Sequence, residues 1–212
     1  RYESDMTRKE KRQNELKKLK SMTFKQKTAY IWEYYKGVFA GIIIACVIIA
    51  IGVQMFQNSQ LKSLLSIAVV DSNYNHDEQV EALQNDFLAY AGTGDKHEVV
   101  DVDTSLLSGD DYNAVVKMTV VMGAGTADMM FCGEETYKKY KQQEAFLSWK
   151  EVLGDDYSKY EEYMTDDGRL DLEKCPNWEK YNMVYYSPVY AVVMSSSKNL
   201  ENCIKFLEMM VQ

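Results

Sequence analysis

A run of 20 residues without a charged side chain, residues 37–56 (GVFAGIIIACVIIAIGVQMF), limits the folds that are open to this chain. As an α-helix, which rises 1.5 Å per residue, the run is about 30 Å long and matches the hydrocarbon core of a bilayer. Residues that favour a membrane interface precede it: Trp32, Tyr34, Tyr35 and Lys36. A buried helix of a soluble protein is the alternative, but the 156 residues that follow could hardly cover it on all sides. The sequence therefore predicts a single transmembrane helix.

Charge is divided unevenly between the two sides of this run. Residues 1–36 hold 11 of the 24 basic and five of the 32 acidic residues, a net charge of +6, and the rest of the chain carries −14. By the positive-inside rule, the basic side is cytoplasmic and residues 57–212 are extracellular. No small-residue cleavage site follows the run, so we expect an uncleaved signal anchor. The acidic main domain argues against nucleic acid as a partner, because phosphate binding needs clustered cations.

These segments define the expected domain organisation. Residues 1–36 are a basic cytoplasmic segment, 37–56 the anchor, 57–65 a linker and 66–212 one extracellular domain, long enough for one core. A competing interpretation makes Cys46 a lipidated N-terminus, because residues 43–46 (IIAC) fit the loose pattern of a bacterial lipobox. The uncharged run continues for ten residues beyond Cys46, where a lipoprotein would have a polar tether, so we favour a membrane-buried cysteine. Either interpretation tethers the acidic domain to the outer face of a membrane.

Beyond residue 65, short apolar runs alternate with helical patterns. Strands are predicted at residues 66–71, 98–102 and 127–132, and an extended segment at 183–194. Helices are predicted after a capping box at 75–78, from Asp110 and Asp111 onward, over 134–143, and after a turn at 195–199. Strands separated by helices of this length imply right-handed βαβ units. The predicted fold class is therefore α/β, with one mainly parallel sheet and flanking helices.

Several segments, taken in their order, resemble a known family. They are Thr126-Ala127-Asp128 leading into a strand, residues 146–153 (FLSWKEVL), residues 187–193 (SPVYAVV) and the turn Ser197-Lys198-Asn199. This order is similar to the first lobe of the type II extracellular solute-binding proteins of ABC importers, over about residues 66–212. That family has two lobes that close on a ligand, whereas this chain has room for one. Residues 22–36 before the span look like those of membrane-anchored proteins of Gram-positive bacteria.

Motifs that carry catalysis or bind metals are scarce. His76 and His97 have no cysteine or serine partner nearby in the sequence, and no His/Cys cluster has zinc spacing. Residues 101–105 (DVDTS) share the spacing of a calcium loop but lack the glycine at its sixth position. We therefore expect no catalytic residue, no metal and no cofactor, and we do not expect an enzyme.

Ligands of open sheets bind at the carboxyl ends of parallel strands, next to helix N-termini. This rule selects residues 71–73 after the first predicted strand and 132–135 after the third. Five of these, with a sixth that the resemblance to solute-binding proteins adds, are the predicted site residues: Asp71, Ser72, Asn73, Gly133, Glu134 and Tyr190. We expect a non-enzymatic, membrane-anchored, solute-binding-like domain that contacts the lipid bilayer and either recognises a small solute or acts as an accessory to an ABC transporter. The alternative is a structural or interaction protein of the cell envelope that has lost solute binding.

Overall fold

The computed structural model describes residues 7–212, apart from ten side chains in its first two helices. Those side chains belong to Arg8, Glu15, Lys18, Leu19, Lys27, Tyr30, Ile31, Tyr34, Gln57 and Asn58. Of the predicted interface residues, Tyr34 thus lies outside the described side chains. The chain divides into two compact units between Gln60 and Leu61.

The first unit contains two helices, α1 (Arg8–Ser21) and α2 (Phe24–Ser59). Thr7 donates its backbone N–H and its hydroxyl to Glu10, which satisfies backbone groups at the start of α1. Within α2, Tyr35–Phe56 has a mean hydropathy of 2.7 and no buried side chain, so it is long and apolar enough to cross a membrane. Cys46 lies in the middle of this stretch and is exposed.

The predicted linker at 57–65 is divided between regular elements. α2 continues to Ser59, and the first strand begins at Lys62. Of the predicted interface residues with a described side chain, Trp32 and Lys36 are exposed and Tyr35 is half-buried.

The second unit is built around a six-stranded sheet. Its strands are β1 (Lys62–Val70), β2 (Glu98–Leu106), β3 (Met129–Cys132), β4 (Phe146–Leu147), β5 (Leu170–Asp171) and β6 (Tyr190–Met194). The strand order is β2-β1-β3-β6-β4, and β5 also pairs with β6. β1 runs parallel to β2 and β3, whereas β6 runs antiparallel to β3, β4 and β5. The α/β class is confirmed, but the sheet is mixed where we expected it to be mainly parallel.

The mixed character of the sheet has a simple cause in chain connectivity. A parallel neighbour needs a long crossover connection, usually a helix, and α3 (Asp77–Ala91) and α4 (Tyr112–Ala124) supply such connections between β1, β2 and β3. Before β6 the chain instead passes through two α-helices of five and four residues, α6 (Trp149–Leu153) and α7 (Trp178–Tyr181). Three short 3₁₀ helices lie between these two: Gly154–Lys159, Glu161–Tyr163 and Leu172–Lys174. These short elements return the chain to the sheet in the opposite direction.

Helix boundaries follow capping groups that the sequence reveals only in part. The predicted capping box at 75–78 is wrong, because α3 begins after His76, whose side chain makes no capping hydrogen bond. Asp111, expected at the start of a helix, caps α4 by accepting hydrogen bonds from two backbone N–H groups. A complete capping box lies instead at the start of α6, between Ser148 and Glu151.

Alternate side chains of the strands enter two separate apolar cores. On one face Ile67 and Val69 pack with residues of α3, α6 and α8 (Leu200–Val211), among them Phe87, Trp149 and Phe206. On the other face Ala68 and Val70 pack with α4 and α5 (Glu134–Lys141) through Met118, Tyr137 and Tyr140. Helices therefore cover both faces of the sheet, and its strand ends remain accessible for a site.

Candidate functional site

The strand order reverses at β1, and a pocket of about 320 Å³ lies at the carboxyl ends of β1 and β3. The chain passes from β1 to β2 on one side and then to β3 on the other side, which is the position where open sheets bind ligands. Asp71, Ser108, residues 133–136 and residues 185–188 line the pocket. Of the six predicted site residues, three line it: Asp71, Gly133 and Glu134.

Asp71 connects the end of β1 to the chain that follows β2. Its backbone has a φ of 51°, in the left-handed region that aspartate tolerates better than most residues. Its backbone N–H donates to the carbonyl of Leu106, and its carboxylate accepts a hydrogen bond of 3.0 Å from the N–H of Ser108. Asp71 thereby fixes one wall of the pocket.

Ser72 and Asn73 do not line the pocket. The Ser72 hydroxyl donates to the carbonyl of Thr104 over 2.8 Å, and the Asn73 N–H donates to the carbonyl of Met183 over 2.9 Å. These bonds join the end of β1 to β2 and to the segment before β6. Both residues thus connect neighbouring segments, and the side-chain oxygen of Asn73 is buried without a hydrogen-bond partner among the described residues.

Gly133 allows a ring to approach the end of β3 closely. A Cβ atom at this position would lie 3.2 Å from the ring of Tyr186, closer than such contacts usually are. The Tyr186 hydroxyl is directed at the carbonyl of Phe131, 3.4 Å away, and burial raises the pKa of this tyrosine. Tyr185 beside it is 75% exposed. One side of the pocket is therefore aromatic.

Glu134 belongs both to the pocket and to a cluster around Arg169. The Arg169 guanidinium donates to Glu134 and to Asp167, and it lies over the ring of Tyr190. The hydrogen bond from Arg169 lowers the pKa of Glu134. Burial alone would raise the pKa of Asp167. Hydrogen bonds from Thr165, Arg169 and Lys141 outweigh this effect and lower the pKa to about 2. The cluster keeps these carboxylates charged next to the pocket.

Tyr190 belongs to this cluster and not to the pocket lining. It is 7% exposed, and burial is the main cause of its raised pKa. Its ring shares the Arg169 guanidinium with the ring of Tyr137. Tyr190 therefore does not line the pocket but packs against Arg169, which in turn binds Glu134 of the pocket lining.

Residues 185–188 form a wall of the pocket that the sequence did not predict. Since β6 is antiparallel to β3, with Cys132 opposite Tyr190, the chain that enters β6 lies at the edge where β3 ends. A parallel arrangement would place that chain at the opposite edge. The sequence does show two adjacent tyrosines, Tyr185 and Tyr186, before a Ser-Pro pair. Only the direction of β6 shows that they lie at this pocket.

A second pocket, of about 350 Å³, lies at the opposite edge of the sheet, near the start of β3. Its most connected residue is Asp128, which is 6% exposed. The carboxylate accepts hydrogen bonds from the Ser66 N–H, the Ser197 hydroxyl and the Asn199 amide, at 2.8 to 3.0 Å. These bonds join the turn before α8 to β1, so Asp128 has a structural role at this edge.

Neither histidine lines the first pocket. His76 contacts the carbonyl of Asn73, and His97 pairs with Asp95 at 2.9 Å. In the described part of the chain, no three His, Cys, Asp or Glu side chains lie close enough together to hold a metal ion. Compared with protein-family models, curated proteins and solved structures, the chain matches none of them.

Proposed function

We propose that the domain of residues 61–212 binds a small solute in the pocket at the ends of β1 and β3, and that α2 tethers it to the outer face of a cell membrane. The observation that carries this proposal is the pocket itself, which lies at the reversal of strand order and is large enough for a small molecule. The residues that line it come from four separate parts of the chain.

The proposed role is binding and not catalysis. The protein would act as an accessory of an ABC transporter, as the resemblance to solute-binding proteins implies. The groups at the pocket support this role, since they are carboxylates, hydroxyls and aromatic rings, among which Asp71 and Glu134 are held in place by hydrogen bonds. Burial raises the pKa of Cys132, the cysteine next to the pocket, to about 12, which disfavours the thiolate needed for nucleophilic attack.

Solute binding can be tested with the full chain in lipid nanodiscs. Thermal unfolding is measured against sugars, amino acids, short peptides and polyamines. A solute at 100 times its Kd stabilises the fold by about 2.7 kcal/mol, which raises the midpoint by about 5–10 °C in a domain of this size.

A variant that fills the pocket identifies the site. Ser108→Trp keeps the backbone N–H that Asp71 needs and places an indole in the pocket, so it should abolish the thermal shift. Ser195→Trp, at an exposed position after β6, is the matched control and should keep the shift. If no solute changes the midpoint of a cooperatively unfolding chain, the envelope-interaction alternative gains support.

The orientation of the chain is part of the proposal and has its own test. The basic segment before α2 and the acidic domain after it favour a cytoplasmic N-terminus. With Cys46→Ser as background, Tyr112→Cys should react with a membrane-impermeant thiol reagent in intact cells. Arg12→Cys should react only after the cells are permeabilised, and the reverse pattern would disprove the orientation.

A further inference from the structure

The charged side chains that line the first pocket are all acidic: Asp71, Glu134 and Glu135. The Glu134 carboxylate pairs with Arg169 and with Lys138, and the Asp71 carboxylate accepts a backbone hydrogen bond. Glu135 differs from both, because it is exposed and has no ion pair or hydrogen bond to its carboxylate within residues 7–212. One full negative charge at the pocket is therefore available to a ligand.

The aromatic ring of Tyr185 also lines this pocket, and most of it is exposed to solvent. Tyr185 is 75% exposed, and its ring meets that of Tyr186 edge-on, at 6.2 Å between centroids and 81° between planes. The face of an aromatic ring carries partial negative charge and attracts ammonium groups within about 6 Å. This arrangement suits an organic cation better than a neutral or anionic group.

A hydroxyl at the pocket can bind the polar group of a ligand. Thr136 lines the pocket, the residue is 6% exposed, and its hydroxyl makes no hydrogen bond to the described residues. The hydroxyl is therefore available to a ligand that donates or accepts a hydrogen bond here.

The start of α5 would by itself favour an anion, since helix N-termini carry partial positive charge. Two carboxylates, Glu134 and Glu135, already lie in its first turn and offset that charge. The domain as a whole has a net charge of −14, which attracts cations from solution.

We propose that the solute is a small organic cation, whose ammonium group lies between the Glu135 carboxylate and the ring of Tyr185 and whose remaining polar group meets the Thr136 hydroxyl. This inference rests on the proposed function, because it names the class of solute that the same pocket takes.

Choline and putrescine are the probes, and 3,3-dimethyl-1-butanol is the neutral control because it has the shape of choline without its charge. Binding to the full chain in nanodiscs is measured by titration calorimetry. We expect choline or putrescine to bind and the neutral alcohol to bind at least tenfold more weakly. The affinity for the cation should also fall as sodium chloride rises from 50 to 500 mM, since salt screens the attraction.

Two variants assign the ligand to its place. Glu135→Gln and Tyr185→Ala should each raise the Kd for the cation about tenfold. Glu179→Gln and Tyr112→Ala make the same changes at exposed positions outside the pocket and should leave the Kd unchanged.

Three results would overturn the inference. If choline and its neutral analogue bind equally well, charge does not select the solute. If sugars or amino acids stabilise the chain but neither cation does, the solute class is wrong and the proposed function stands. If neither the cations nor any other solute binds, both proposals fail together.

Discussion

The guanidinium carbon of Arg169 lies 4.0 Å from the centroid of the Tyr190 ring, and the ring of Tyr137 lies 4.3 Å from the same atom. Arg169 therefore joins β6 to α5 through two stacked rings, while its N–H groups bind Glu134 and Asp167. Since Glu134 begins α5 and lines the pocket, the position of the pocket wall depends on an arginine that lies outside it.

Replacing Arg169 should destabilise the domain far more than replacing a surface cation. Arg169→Met removes the arginine that binds two carboxylates and removes both ring contacts, so we expect the free energy of unfolding to fall by about 2–3 kcal/mol. Lys159→Met, at an exposed ion pair, should change it by less than about 1 kcal/mol. Urea unfolding of the full chain in micelles, followed by tryptophan fluorescence, measures both, and equal effects would contradict the role of Arg169.

The Arg169 cluster should also make stability depend on acid pH. Hydrogen bonds lower the pKa of Asp167 in the folded chain to about 2, below its ordinary value of 3.8, so the unfolded chain binds more protons between these values. This contribution is present above about pH 5 and is lost as the pH falls toward 2. Unfolding midpoints at pH 7 and pH 3 should differ less in Asp167→Asn than in the wild type. An identical pH dependence of the two proteins would show that this carboxylate contributes nothing.

Asp128 should prove important for folding although it lies far from the first pocket. Asp128→Ala leaves three hydrogen-bond donors near the start of β3 without their acceptor, so we expect the free energy of unfolding to fall by about 2–3 kcal/mol. Asp128→Asn keeps one side-chain oxygen as acceptor and should lower the free energy of unfolding by about half as much. Asp155→Ala, at an exposed position of a 3₁₀ helix (Gly154–Lys159), is the control for the loss of an aspartate, and the same unfolding measurement compares all three variants.

The domain cysteines should be unreactive while the fold is intact. Cys132, Cys175 and Cys203 are buried and free, and burial raises the pKa of each thiol to about 12. At pH 8 the thiolate is then about one part in ten thousand. In a Cys46→Ser background, intact mass spectrometry should detect no iodoacetamide adduct before denaturation and three afterwards. An adduct on the folded chain would show that one of these sites opens.

Local patterns in the sequence predict the elements of the first half of the domain well. The apolar runs that contain Ile67 and Met130 are strands, and Asp111 begins a helix, because each depends on its near neighbours alone. The rule for parallel strands also places three predicted residues, Asp71, Gly133 and Glu134, at one pocket.

The remaining features depend on contacts between distant parts of the chain. The direction of β6 follows from pairings such as Met129 with Val193, and no local pattern carries that information. Arg169 reads in the sequence as one more polar residue of a turn. Its importance arises because the fold brings the rings of Tyr137 and Tyr190 within 4.3 Å of its guanidinium carbon.

β6 pairs with three other strands, and it follows all of them in the chain, with α8 after it. During synthesis, the core around Phe131 therefore cannot close until residues 190–211 have emerged. A shortened product that stops before Tyr190 keeps β1 to β5 but leaves their apolar side chains uncovered. Such a product should aggregate or be degraded, because exposed apolar surface and unpaired strand edges make a partly folded chain prone to both.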